Sequence, residues 1–351
     1  MSSNEHLGFL LALMRFQPFG ATRLKKLLSY FQTPDRIFTA QIVDLCEAGI
    51  DQKLAERFCA HRQLLNPEGE LALLAKHEVK AVVFDDDAYP ALLKTIYAPP
   101  QVLLYRGTLP SHTRKCLAVV GTRKITPYGE RAIKEIVEPV AASGVVIVSG
   151  LAFGVDACAH QAALNVGGTT IAILGSGVEA DNLYPSQHRS LASQIIASGG
   201  AVITEFPIGT QPFKSNFPVR NRIIAGWSEG TLVVEAAVRS GSLITARVAL
   251  EAGRNVLAIP GPFYAPFSEG PNNLIKMGAT PVTRASDILQ ETEETITMNN
   301  VFEPASAEEA TIWRLLTHEP IHTDMLVQES ALTPSIVNQT LTLMEMKGAA
   351  K

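Results

Sequence analysis

Apolar residues recur at helical spacing in residues 7–14, 24–31 and 37–45, and the spacing predicts a helical start to the chain. Pro18, Phe19, Gly20 and Ala21 interrupt it as a tight turn, and the helix that follows is basic at Arg23, Lys25 and Lys26. Near Val79 the period changes. Residues 79–84 and 102–105 alternate as strands do, with turns forced between them by Pro90, Pro99 and Pro100. From Leu117 onward, short apolar runs at 117–120, 145–148, 169–174, 201–204, 231–234, 256–259 and, more weakly, 281–283 are separated by helix-patterned segments such as 130–142, 156–164, 191–197 and 243–251. Strands without alternation, joined by helices, predict right-handed crossovers and a mostly parallel sheet covered on both faces.

The expected architecture is therefore α/β, an extended Rossmann-like, doubly wound sheet domain at 76–290. A helical domain at 1–75, resembling SAM or helix-hairpin-helix modules, precedes it. Residues 291–307 are acidic and polar and read as a linker, and 308–351 carry three helical segments in a winged-helix order. Charge sharpens this division. Residues 110–290 hold 15 basic against 12 acidic side chains, the only basic surplus, whereas 291–351 hold 3 against 10. The helical start is neutral and reads as a docking domain. A net charge of -4 argues against a protein that coats nucleic acid indiscriminately, so binding to a polyanion requires clustered cations.

The clustering lies at the strand ends, where open α/β sheets bind ligands. The first strand of the repeating region runs into Gly121, Thr122, Arg123 and Lys124, and the second into Ser149 and Gly150. A segment with Lys214, Asn216, Phe217, Arg220, Asn221 and Arg222 opens a basic helix, and Ser240, Gly241 and Ser242 open another. Free N–H groups at helix starts suit anions, and two such starts with cations between them exceed what one phosphate needs. A polyanion is the expected ligand.

Other chemistries fit less well. Gly175-Ser-Gly177-Val-Glu-Ala180 matches a dinucleotide fingerprint in form, but Asp181 to Pro185 breaks the helix that should follow, and no acidic residue ends the second strand. No P-loop occurs. Asp85, Asp86 and Asp87 form a solvated turn rather than a metal site, and Asp156 with His160 reads as a capping arrangement. Cys46, Cys59, Cys116 and Cys158 show no zinc-ligand spacing, which suits a reduced, cytoplasmic protein with no metal or cofactor. No membrane-spanning run or signal peptide is evident. An enzymatic alternative remains: Gly230-Thr231 with Glu235 loosely resembles Rossmann-like nucleotide phosphoribohydrolases, with Glu235 as the acidic group, although Trp227-Ser228-Glu229 replaces the leading glycines.

Several motifs in order, V-V-G-T-R-K-I-T-P-Y-G at 119–129, V-S-G-L-A-F-G-V-D-A-C-A-H at 148–160, I-A-I-L-G-S-G at 171–177, N-F-P-V-R-N-R-I-I-A-G at 216–226 and V-V-E-A-A-V-R-S-G-S-L-I-T-A-R at 233–247, resemble the DNA-processing protein A family, also called Smf. The resemblance covers roughly 110–290. It implies a non-catalytic single-stranded DNA binder that protects incoming strands, loads the RecA recombinase during natural transformation and dimerises. Carried over, Arg123 and Lys124 match the family's basic pair, Arg220 and Arg222 its R-N-R, and Ser240-Gly241-Ser242 its phosphate-side turn, while Phe217 offers a face for base stacking. Asn221 is expected to orient the arginines.

Two departures stand out. Phe153 replaces a family arginine, and residues 263–271 are unusually apolar. In the last module the helix at 335–347, in the place of a DNA-reading helix, has one lysine and one glutamate, too few cations for DNA, so a protein-contact role is expected. The chain stops at Lys351, where the wing should begin, so that module is expected to be truncated.

Overall fold

The computed structural model of the protein describes residues 3–111, 113–294, 306–316, 321, 323–330 and 332–346. Six helices open the chain: α1 (Ser3–Arg15), α2 (Ala21–Phe31), α3 (Pro34–Thr39), α4 (Ile42–Glu47), α5 (Gln52–His61) and α6 (Pro67–Lys76). The periodic stretch at 37–45 divides between α3 and α4 because Ala40, with ψ of 145°, leaves the helical region. Asp51 caps α5 through the Leu54 N–H, and Asn66 caps α6 ahead of Pro67.

Next come β1 (Lys80–Val83), α7 (Ala91–Lys94), β2 (Val102–Gly107), β3 (Cys116–Val120), α8 (Pro127–Ala132), α9 (Glu138–Ala142), β4 (Val146–Ser149), α10 (Val155–Asn165) and β5 (Thr170–Ile173). A π-helical turn, Ile133–Val137, joins α8 to α9 just before Pro139, whose missing N–H could not serve a regular ladder. The unit continues with α11 (Arg189–Ala197), β6 (Ala201–Thr204), α12 (Asn216–Trp227), β7 (Gly230–Val233), α13 (Gly241–Glu251), β8 (Asn255–Ala258), α14 (Glu269–Lys276), β9 (Thr280–Pro281) and α15 (Ala285–Glu294).

Among the described residues nine strands form one sheet in the order β1-β2-β6-β5-β4-β3-β7-β8-β9. β1 with β2 and β2 with β6 are antiparallel; every other pairing is parallel. The parallel strands β3 to β7 are buried along their whole length, which is why they read as unbroken apolar runs. Their side chains still alternate between faces. Ala118 and Val120 meet Ile223, Trp227 and Ala246 of α12 and α13 on one side, and Leu117 and Val119 meet Ile133, Val140 and Ala159 on the other. The opening helices share a third core with the sheet: Leu10, Phe58, Leu104, Leu174 and Val202 belong to one cluster.

A second compact unit begins at Gln290. Its helices α16 (Ala307–Leu315), α17 (Thr323–Ser330) and α18 (Pro334–Met346) enclose Ile312, Leu326, Val337 and Met344. Of the expected linker at 291–307, residues 291–294 continue α15, 306–307 cap and start α16, and 295–305 lie outside the described residues, as does Lys351, where a wing is expected to begin. No helix among the described residues is long and apolar enough to cross a membrane.

Candidate functional site

From β3 to β6 the chain moves along the sheet in one direction. After β6 it returns, and β7 pairs with the other side of β3. The crevice at this reversal, beyond the carboxyl ends of β3 and β7, is where a doubly wound sheet opens to ligands. Backbone bonds tie the two loops there. Val234 N–H donates to Val120 O at 3.1 Å, Thr122 N–H to Glu235 O at 2.7 Å, and Val155 N–H to Thr122 O at 3.1 Å. Gly121 permits this closeness, since a Cβ there would lie 2.5 Å from Val155 Cγ2.

Glu235 is spent within this framework. It is 3% exposed, and its two carboxylate oxygens accept from Thr126 N–H at 2.9 Å and Thr126 Oγ1 at 2.5 Å. Thr126 in turn caps α8 by accepting from Gly129 N–H. The carboxylate thus fixes the start of a helix, and it forms no (i, i+4) ion pair with Arg239 among the salt bridges of the described residues.

Arg220 is the central side chain and lies inside the protein, at 4% exposure. Its Nη1 donates to Gly150 O at 2.8 Å and to Ile173 O, two carbonyls at the ends of β4 and β5. Its Nε donates to Asn221 Oδ1 at 3.2 Å, the orienting contact expected of that asparagine. Burial pulls the guanidinium down to about 10 against the attraction of Asp156, so it stays charged at neutral pH. Asp156 closes the loop ahead of α10, accepting from Gly150 N–H at 3.1 Å and Ala152 N–H at 3.3 Å. Burial raises its carboxyl above the ordinary range, although Arg220 and these N–H groups oppose the rise.

Two glycines at the strand ends, Gly150 and Gly175, admit the protein's own side chains. A Cβ on Gly150 would sit 2.7 Å from the Arg220 guanidinium, and one on Gly175 would sit 3.0 Å from the Phe217 ring. Arg222 is also engaged, its Nη2 pairing with Glu205 Oε2. Burial raises the Glu205 carboxyl, with Arg222 pulling the other way. Arg220 and Arg222, expected as phosphate ligands, are turned inward instead: Arg220 Nη1 and Nε donate to carbonyl and amide oxygens and Arg222 Nη2 to a carboxylate, while Arg222 Nη1 is buried without a hydrogen-bond partner among the described residues. Ser149 is internal as well, its Oγ donating to Val119 O at 2.6 Å, and Thr122 Oγ1 accepts from Lys124 N–H at 3.1 Å.

An open layer lies over this closed one. Arg123, Lys124 and Lys214 are exposed, and Asn216 and Phe217 are half-buried at the start of α12. The Arg123 guanidinium stands 5.5 Å from the Phe217 ring centroid, with Arg220 at 5.9 Å from the same ring. Asn221 Nδ2 reaches Gly241 O at 3.5 Å, which brings the second turn to the same edge. There Ser240 Oγ caps α13 by accepting from Ser242 N–H, and Gly241 is exposed. The predicted residues therefore converge on one edge but divide into a buried and an open set.

Asp156 and His160 do not form an acid–base pair. Thr170 Oγ1 donates to Ile147 O at 2.7 Å, so it accepts from His160 Nδ1 at 2.7 Å, and burial drives the imidazole down to about 3. Phe153 lies against the His188 ring at 4.9 Å. Sequence reasoning missed the aromatic side chains around the edge: Tyr184 at 5.6 Å from Phe217, and the exposed Tyr128, Phe263 and Tyr264. Isolated aromatics in turns follow no period, and the only signal was the apolar excess of 263–271. Among the described residues no group of acidic, histidine or cysteine side chains could hold a metal ion, and the four cysteines are free.

Fold and edge together define a Rossmann-type α/β protein whose ligand crevice is walled by glycine turns, arginines and aromatic rings. The model of DNA recombination-mediator protein A matches residues 80–293 and that of the DprA winged helix domain matches 302–351, and the chain belongs to this family. It is 44% identical over 248 residues to Protein Smf of Escherichia coli (strain K12), covering 71% of this chain and 66% of that protein. It is 41% identical over 226 residues to DNA processing protein DprA of Bacillus subtilis (strain 168), covering 64% and 75%. The X-ray structure of DNA processing protein A from Streptococcus pneumoniae superposes with a TM-score of 0.70 at 34% identity, over 83% of this chain and 98% of that one. A structure describing the single-stranded DNA binding mode of DNA processing protein A from Helicobacter pylori gives 0.54 at 26% identity, over 62% and 97%.

Proposed function

We propose that this chain binds single-stranded DNA along the carboxyl edge of its sheet without cleaving it, protects the strand, and passes it to a RecA-type recombinase during natural transformation. The observation that carries the reading is Arg123 held over the half-buried Phe217, with exposed Lys124 on the same loop and exposed Lys214 just ahead of α12. Cations hold a phosphate backbone whatever its sequence, and an aromatic face stacks on any base. The buried Arg220 supports both, because it locks the ends of β4 and β5 beneath the ring.

In this reading the protein is a cytoplasmic homodimer that needs no cofactor. The single-stranded DNA bound by the Helicobacter pylori relative supports the ligand class, and family membership supports the recombinase step. The hydrolase reading loses its acid, since Glu235 is buried and fully engaged by Thr126. The last module contacts protein rather than DNA: α18 has no lysine or arginine, while Ile336 and Leu343 are exposed on it.

A gel-shift titration of oligothymidylate against duplex of equal length, repeated across salt, tests the proposal. The expected result is tighter single-strand binding that weakens with salt. Equal or tighter duplex binding, or turnover of mononucleotides, overturns it.

A further inference from the structure

The loop between β8 and α14 carries two adjacent, strongly exposed aromatic side chains, Phe263 at 92% and Tyr264 at 77%. Their rings pack edge to face, 5.4 Å apart at 85°. The loop around them is held at both ends. Tyr128 Oη donates to Pro260 O at 2.5 Å, and Asn272 exchanges two bonds with Gly261, its Oδ1 accepting from the N–H at 3.2 Å and its Nδ2 donating to the O at 3.0 Å. Further along, Ala236 N–H donates to Phe267 O at 2.7 Å. A pinned loop that holds two large rings in water gives up hydrophobic stabilisation, and such exposed apolar surface marks a contact site.

The position of the loop identifies the contact. β8 lies two strands from β3 through β7, and all three are parallel, so their carboxyl ends share one edge. Phe217, over Gly175, stands at the end of β5. From β5 to β8 there are four strand spacings, roughly 19 Å. Arg123 and Lys124 lie between these limits at the end of β3, and Tyr128, 43% exposed, follows them and touches the loop through Pro260. The edge therefore alternates ring, cations, ring and ring pair. That sequence suits a chain of bases linked by phosphates, and it is too long for one mononucleotide.

We propose that Phe263 and Tyr264 form a second base-stacking station, which extends the single-strand site from the end of β5 to the end of β8 and sets its length. The inference rests on the single-strand reading of the same edge. It makes DNA the occupant of the ring pair because the exposed charges on the turns from β3 to β8, Arg123, Lys124 and Arg239, are cationic and outnumber Glu269 at the end of the loop.

The test compares Phe263→Ala/Tyr264→Ala with Phe263→Tyr/Tyr264→Phe and with Arg123→Glu/Lys124→Glu, using fluorescence anisotropy with oligothymidylates of four and twelve nucleotides and sedimentation velocity on each variant. The alanine pair is expected to weaken the twelve-nucleotide strand about tenfold, leave the four-nucleotide strand within about twofold and keep the wild-type sedimentation; the aromatic swap restores wild-type affinity. Undiminished binding of the long strand, equal loss for both lengths, or a shifted sedimentation with unchanged affinity overturns the inference, the last by making a second copy of the chain the occupant. If the alanine pair binds normally while the charge-reversed pair does not, only the second station fails. If the charge-reversed pair also binds normally, the single-strand reading fails with it.

Discussion

Arg220 and Arg123 lie against the same phenylalanine ring, yet their surroundings differ. Arg220 is wrapped by Gly150 O, Ile173 O and Asn221 Oδ1, whereas Arg123 projects from a loop into solvent. The contrast extends to their neighbours: Glu235, Ser149 and the Arg222–Glu205 pair belong with the closed set, and Lys124, Lys214 and Gly241 with the open one. A cation at a strand end serves whichever oxygen reaches it first. Carbonyls that have run out of sheet partners are close and fixed, so the inner arginine completes the fold and the outer one is left for a ligand.

The largest test of this division removes the inner cation. Arg220→Met leaves two carbonyls without a donor and Asp156 without its neighbouring charge, a loss of about 3–5 kcal/mol. Thermal unfolding should show a midpoint lower by roughly 10 °C. An unchanged midpoint would break the comparison, for Arg220 would then be dispensable to the fold. Reversing the outer pair, Arg123→Glu with Lys124→Glu, should do the opposite. Affinity for oligothymidylate falls about 100-fold, near 2.7 kcal/mol, while the midpoint moves by less than about 2 °C. With alanine at both positions, the slope of log affinity against log salt should become shallower by about 1.4, two cations at 0.7 each.

Much of the fold was legible because the crossovers impose it. Strands buried on both faces must be short apolar runs, and the run at 201–204 coincides with β6 while the others differ from their strands by one or two residues. The single stretch at 37–45 hid a break, since Ala40 leaves helical geometry without glycine or proline to announce it. The candidate edge was legible in position but not in layering. R-N-R at 220–222 reads as three polar side chains facing one ligand, yet consecutive helical residues point about 100° apart. Arg220 turns toward the strand ends and Arg222 toward Glu205. Which cation is met by a carbonyl depends on neighbours 70 and 47 residues away, and no local spacing records them.

The interior beneath the edge can be read by pH. Above about pH 6.5 His160 is neutral whether folded or not and adds no slope; below it the unfolded chain takes up a proton that the folded chain, with its imidazole held down to about 3, refuses. Stability from this group is therefore full above 6.5 and falls toward 3, by at most about 1.4 kcal/mol per pH unit. Asp156 acts with the opposite sign. Its folded carboxyl keeps a proton above 3.8 that the unfolded one has lost, so its contribution falls as pH rises. Comparing wild type with His160→Gln, which retains a hydrogen-bonding group toward Thr170, separates the two. Their difference in unfolding free energy should shrink as pH drops from 7 to 5, and a constant difference would mean that His160 takes its proton while folded.

The smallest expected effect bears on where the two layers meet. Phe217 touches both arginines and lies over Gly175, so it could serve as filling for the closed set or as a stacking face for the open one. Phe217→Leu keeps an apolar side chain of similar reach and removes the flat face. If stacking matters, oligothymidylate affinity falls by about 1 kcal/mol, close to fivefold, with the salt slope unchanged because no phosphate contact is lost. The same change should have no effect on a strand carrying abasic sites throughout, where no base can stack. A loss of equal size on the abasic strand would mean that the ring acts by holding Arg123 in place, and would move Phe217 from the open set to the closed one.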